Sequence, residues 1–440
     1  MQEKTTLKHT EGFSFYMAIL SVIGMPIAPE YGAPPLALAA FFFAFLDARR
    51  KGGLRIGMLG KLLLLYIAYS AIGIFYSAHR GNSLATVAMW VVMFLLYLTL
   101  TTVLTSRRRI QITLFLFSAA VGLVGLISCA QYGFRNILNI ESIPEQFWAK
   151  FDRIFFRYFP MTVDLEASAG RVCGTFNNPN MLAEFFIMVV PLVGYYGFHG
   201  KRTPSHLLGR CFTLLAVFGA VVSLSRGAYI ALLAMLLLLV VTHIRKLSPF
   251  AMCLIAAVSL VPEAVITRFL SIGESDHSIL ERFDVWGVAI QSIIKNPLLG
   301  TGPGVSNFWE FLTEMGVSAP HSHNLVLQLL IEGGFIGLFL MFLVGTRLLQ
   351  DSMGLIGRSR QTASIGLTFL LFAVAFVMHG MVDFPFLSPK LVGTFCIMLG
   401  FFDALSAPYL TDRLTPLSRV LHPVFRWVKA VPSLLKKKQL

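Results

Sequence analysis

Between residue 13 and about residue 408 the chain is a succession of apolar runs near the length needed to cross a bilayer, parted by short polar segments. A helix of roughly 20 apolar residues spans the hydrocarbon layer. Such runs fall near 13–29, 35–47, 61–78, 84–105, 110–132, 180–198, 207–224, 227–244, 249–266, 323–348, 363–382 and 391–408. Only 13% of the residues are charged and the mean hydropathy is +0.73. A soluble domain carries roughly 25% charged residues, so this much apolar surface belongs in lipid. The runs are continuous rather than alternating, which excludes a β-barrel. The expectation is an all-α polytopic membrane bundle of about 12 spans, forming one integral domain over residues 1–440.

The net charge of +14 would suggest nucleic acid in a soluble protein. Here the basic residues alternate from loop to loop, so they read as membrane orientation, with no nucleic-acid partner. Clusters such as Arg49-Arg50-Lys51, Arg107-Arg108-Arg109 and Lys201-Arg202 share a side with both termini. The positive-inside rule makes that side cytoplasmic. Two long segments, 133–179 and 267–322, then lie on the outer face. Within the first, Pro144–Phe159 mixes aromatic and basic residues; it reads equally as an interfacial helix and as a packed loop helix. Residues 411–440 read as a basic, amphipathic cytoplasmic tail near anionic lipid. The first apolar run reads as a retained span, not a cleaved signal. Five scattered cysteines have no metal or disulfide spacing.

Polar motifs recur at the outer ends of these spans. In Arg171–Asn180 (RVCGTFNNPN), Pro179 favours the start of a helix. The segment is either a loop-to-helix junction or, with Arg171 beside free helix N–H groups, an anion site. In SLSRGA, Arg226 sits at a tight turn between two spans, against the positive-inside bias. It either snorkels or pairs with a bound anion or carboxylate. Arg282 precedes Trp286 by one helical turn, in an amphipathic helix expected to end at Lys295-Asn296-Pro297. It either meets an anion or pairs with Glu281 or Asp284. The following NPLLGTGPG reads as a flexible turn. It is not a phosphate loop, since no strand precedes it and no GK[ST] ends it. In PHSHN, His321, His323 and Asn324 open a long apolar run, as a polar helix cap or as a general base at the membrane surface. No metal is expected there, because no cysteine and no other nearby histidine adds ligands. Finally, His379 and Asp383 share a helix face at i, i+4, as a cap, a supporting pair or a rival base. Convergent guanidinium groups suit a pyrophosphate, and a neutral imidazole suits a proton acceptor.

Taken in order, R-x-x-G-T-F-x-N-P-N, S-R-G-A, R-x-x-x-W before N-P-L-x-G-x-G-P-G, and H-S-H-N resemble the bacterial O-antigen ligases and their relatives, the Wzy-type polysaccharide polymerases. The ligase pattern H-[NSQ]-x9-G-x-x-[GTY] is met by His323, Asn324, Gly334 and Gly337. The likeness covers the topology and, in motif, about residues 170–400. It implies a C-type membrane glycosyltransferase in the bacterial inner membrane, with its site on the periplasmic face. The donor it implies is a glycan on undecaprenyl pyrophosphate; the acceptor is a lipid A–core sugar or another envelope glycan. It also implies that Arg171, Arg226 and Arg282 hold the pyrophosphate and that His323 is the base of an inverting transfer, without metal or cofactor. Asn180, His321, Asn324, His379 and Asp383 stand as supporting residues. A Wzy-type polymerase joining lipid-linked repeats is the first alternative. A transporter or flippase of lipid-linked glycans is the second, disfavoured because the charged residues gather at one surface rather than at the midplane.

Overall fold

A computed structural model describes residues 2–136, 171–199, 203–243, 277–410, 414–417 and 419. The helices are α1 (Gln2–Ile27), α2 (Ala33–Arg50), α3 (Met58–Gly73), α4 (Arg80–Val103), α5 (Arg107–Asn136), α6 (Pro179–Phe198), α7 (Pro204–Val222), α8 (Arg226–His243), α9 (His277–Lys295), α10 (Ser306–Glu314), α11 (Leu325–Ile356), α12 (Arg360–Gly380) and α13 (Pro389–Ser406). Among the described residues, eight helices are long and apolar enough to cross a membrane, and three more are apolar but shorter. This is a polytopic, all-α, multi-pass membrane protein. The run expected near 249–266, the helix expected over 144–159 and nearly all of the tail lie outside the described residues. The amphipathic segment around Arg282 is the helix α9, and it ends at Lys295.

The centre of the bundle is α13. Of its membrane-length window, 94% is buried, and it packs against α4, α6, α1 and α12. A helix enclosed on every side approaches its neighbours closely only where side chains are small. A Cβ at Gly393 would stand 2.5 Å from Met25, and one at Gly400 would stand 3.1 Å from Leu100. The end of α13 is fastened by a short hydrogen bond from Tyr97 to Asp403, and the Gly57 N–H donates to the same Tyr97 hydroxyl at 3.0 Å. A two-residue antiparallel pairing of Arg55-Ile56 with Thr415-Pro416 lies nearby in the chain.

The longest helix, α11, is broken. Gly334 has φ 60° and ψ −164°, a region open in practice only to glycine. A broken helix leaves backbone groups without intrahelical partners, and lipid offers none. The segment 297–302 supplies them. Phe335 and Ile336 donate to the carbonyls of Pro297 (2.8 Å) and Leu298 (3.3 Å), while Thr301 and Gly302 donate to the carbonyls of Ile331 (2.7 Å) and Glu332 (3.1 Å). The Tyr69 hydroxyl donates to Gly333 O at 2.7 Å. The glycine run that reads as a flexible turn is therefore a docked loop. Its left-handed glycines let backbone meet backbone; a Cβ on Gly300 would come within 2.6 Å of α11. Asn307 anchors the far side of the loop, accepting from Ser77 Oγ at 2.8 Å and from the His79 N–H at 3.0 Å.

A Cβ at Gly334 would lie 2.3 Å from the Leu298 backbone. Gly334→Ala therefore adds backbone strain and overlap, about 2–6 kcal/mol together. A fall of several degrees in the thermal unfolding midpoint in detergent is expected; an unchanged midpoint would show that the break does not depend on glycine.

Candidate active site

The motifs that the sequence spreads over more than 200 positions meet at one end of the bundle, where α6, α8, α11 and α13 begin and α7 and α12 end. The segment 171–178 leads into α6, and residues 172–177 are buried. It is held from three sides. Gln131 donates to Gly174 O and accepts from Gly174 N, the buried Lys390 ammonium donates to Thr175 O at 2.7 Å, and Thr175 Oγ1 donates to Pro26 O. Lys390 also sits 3.8 Å from the Phe176 ring centroid. Asn178 caps α6 by accepting from the Asn180 N–H at 2.7 Å, with Pro179 at the first turn.

Arg171 bridges this loop to the next motif. Its Nη2 donates to Asn180 Oδ1 at 2.8 Å and its Nε to Ser223 O at 3.1 Å. Ser223 begins the tight turn in which Leu224 has φ 52°, and Arg226 opens α8. A cation at a helix N-terminus opposes the helix dipole, whereas an anion there is favoured by both charge and dipole. Gly227 brings this turn against the end of α12, since a Cβ there would stand 2.7 Å from Val382 and 2.9 Å from His379.

The histidine segment is held at the mouth of α11. Asn324 caps the helix, accepting from the Val326 and Leu327 N–H groups at 3.0 Å, and its amide donates to Met381 O at 2.9 Å. His323 has φ 48°, an uncommon conformation in which histidine is enriched. Leu224 and His323 are the non-glycine residues with positive φ among the described residues, and both lie in these two junctions. Asp383 joins both imidazoles. Its Oδ1 is 2.8 Å from His321 Nε2 and 3.4 Å from His323 Nδ1, and it also accepts from the Phe384 N–H at 2.9 Å. The two rings are 4.1 Å apart.

Burial first, then the neighbouring His323 and more weakly Arg282, push His321 down to about 4, against the pull of Asp383. Burial acts to raise the Asp383 carboxyl, but the hydrogen bonds from the two histidines hold it well below the usual carboxylate range. At neutral pH this is a neutral His321 donating from Nε2 to an ionised Asp383. The same carboxylate selects the Nδ1–H tautomer of His323, which leaves Nε2 as the basic nitrogen. The hydrogen bond from Trp286 Nε1 to Ser322 O, 3.0 Å, places α9 beside this cluster.

Residues 211–342 match a family model described as O-antigen ligase. Over that stretch the chain is similar to the O-antigen ligase family. The matched stretch holds Arg226, Arg282, His321 and His323, and stops short of Asp383. No curated protein matches the chain. The family implies a membrane glycosyltransferase-type enzyme that works with a lipid-linked glycan and a glycan acceptor.

The structure links Arg171 to Asn180 and Ser223, Asn324 to Met381, and both histidines to Asp383, and it brings Gly227 against His379. The expectation that no further ligand stands near the histidines does not hold. Asp383 is remote in sequence but adds a third donor, and the three possible ligand atoms lie within 4.8 Å of one another. His379 does not join them; it turns to Glu184 on α6, with Nδ1 3.1 Å from Oε1. Glu184 was not a sequence candidate. A carboxylate inside an apolar run was the available signal.

Both members of the Glu184–His379 pair are almost fully buried. Removing one alone leaves an unmatched group in the core, at a cost of about 3–5 kcal/mol. Glu184→Ala is expected to lower the unfolding midpoint sharply, and Glu184→Leu with His379→Leu to recover most of the loss. A double-mutant cycle with additive effects would dissolve the pairing.

Proposed function

We propose that this protein transfers a glycan from a polyprenyl pyrophosphate, of the undecaprenyl type, to a sugar hydroxyl of an envelope acceptor, on the outer face of the inner membrane. The observation that supports the reading is the His323–Asp383 contact, which leaves a partly exposed imidazole with Nε2 available at the mouth of α11. His323 takes the proton of the acceptor hydroxyl as its oxygen attacks the anomeric carbon. The glycosidic C–O bond to the pyrophosphate breaks, and the anomeric configuration inverts. Arg171, Arg226 and Arg282 bind the pyrophosphate and stabilise the charge it gains as it leaves. Asn180 orients Arg171, Asn324 sets the start of α11, and Asp383 with His321 fixes the ring of His323. A ligase passing the glycan to a lipid A–core sugar is favoured by the H-N-x9-G-x-x-G pattern of His323, Asn324, Gly334 and Gly337. A polymerase would use the same chemistry with a lipid-linked acceptor.

Purified protein with labelled donor and acceptor in detergent tests the reading. Transfer needs no sealed compartment, whereas transport does. His323→Ala is expected to abolish transfer with the fold intact. Arg226→Ala is expected to weaken donor binding more than acceptor binding and to cost about 10²–10³ in rate. Full activity of the histidine variant would remove the base role.

One observation favours a second reading. Two histidines and an aspartate are also the ligand set of metal sites that keep an open position. The metal-independent reading is preferred because the arginines already supply the charge neutralisation that a metal would bring, and because the three groups bond to one another. EDTA is therefore expected to leave turnover intact. Loss on chelation and recovery with a divalent ion would move the chemistry to a metal held by His321, His323 and Asp383.

A further inference from the structure

Ser322, the residue before His323, is fully buried and gripped from both sides. Its N–H donates to Gln328 Oε1 at 3.0 Å, and its carbonyl accepts from Trp286 Nε1 at 3.0 Å. These contacts hold the two successive peptide units that precede the His323 Cα. The left-handed φ of His323 is measured from the second of them, so its plane sets where the imidazole goes. A left-handed φ on a residue with a side chain persists only when its surroundings over-determine it.

Gln328 is well suited to this task. It is fully buried one turn into α11, and its amide nitrogen donates to Glu332 Oε1 at 2.9 Å. That bond decides which way the amide faces and turns its oxygen to Ser322. Glu332 lies two residues before the break in α11, and its carbonyl accepts from Gly302. Trp286 belongs to α9, one helical turn after Arg282. The segment is thus tied on one side to the broken helix and on the other to the helix of a pyrophosphate arginine.

We propose that Trp286 and Gln328 are positioning residues that clamp Ser322 and so set the placement of His323, coupling the Arg282 helix to the base. The proposal rests on His323 serving as the base. It predicts that loosening the clamp slows chemistry without weakening donor binding.

Trp286→Phe keeps a ring against Phe283, which is 5.5 Å away, and removes only the indole N–H. Gln328→Met removes the other contact at similar length. Each is expected to lower kcat about two- to tenfold, the worth of one hydrogen bond, with the KM for donor unchanged. The second readout is independent of turnover: the rate at which diethyl pyrocarbonate modifies His323, followed by peptide mass spectrometry with the partly exposed His79 as reference. That rate is expected to change by a similar factor in both variants, with His79 unaffected. Unaltered His323 reactivity in both variants overturns the proposal, whether or not turnover falls. A rise in donor KM as the main effect also overturns it. If His323→Ala remains active, the base assignment fails, while the reactivity comparison still decides whether the clamp exists.

Discussion

Backbone polar groups deep in a lipid-facing bundle must find partners within the protein, because each one left alone costs several kcal/mol. In this chain that constraint is most acute at Gly334, where α11 breaks, and the loop 297–302 resolves it by supplying and accepting the missing hydrogen bonds. Much else at this end of the bundle follows from that splice. It fixes the first part of α11, whose N-terminus carries the histidine segment. It binds the segment after α9 to the same helix. Through Asn307 it also ties both to the junction of α3 and α4. The site is thus built on a rigid seam rather than on free loops.

The same rule explains the buried segment before α6. A loop that enters the bundle needs a side-chain donor or acceptor for each exposed peptide, and Gln131 and Lys390 provide them at Gly174 and Thr175. Lys390 is therefore a structural cation, although it lies at the same end of the bundle as the arginines. The arginines differ in kind. Arg226 opens α8, and Arg171 is held by Asn180 and Ser223. The histidine–aspartate cluster is arranged with equal economy, since one carboxylate, Asp383, orients two imidazoles.

The match over residues 211–342 points to glycosyltransferase-type membrane enzymes, and the proposed site is the cluster of Asp383 with His321 and His323. Arginines that stay charged at any working pH suit a leaving pyrophosphate. A histidine whose tautomer is set by a carboxylate suits proton abstraction. Neither needs a deep pocket within the membrane.

Sequence alone determined the spans, because a bilayer-length apolar run is a local property. It also singled out Arg171, Arg226, Arg282 and His323, because an ionisable residue at the edge of such a run is costly and therefore conspicuous. Helix starts at Pro179 and Asn324 were legible for the same local reason. Pairing was not. That Asp383 lies between two histidines some 60 residues earlier, that His379 turns to Glu184 instead, and that a glycine run is a docked splice rather than a flexible turn were decided only by how the helices pack. Hydrogen-bond partners distant along the chain leave no periodic trace in it; the bundle brings them together, and the exclusion of water there obliges them to bond.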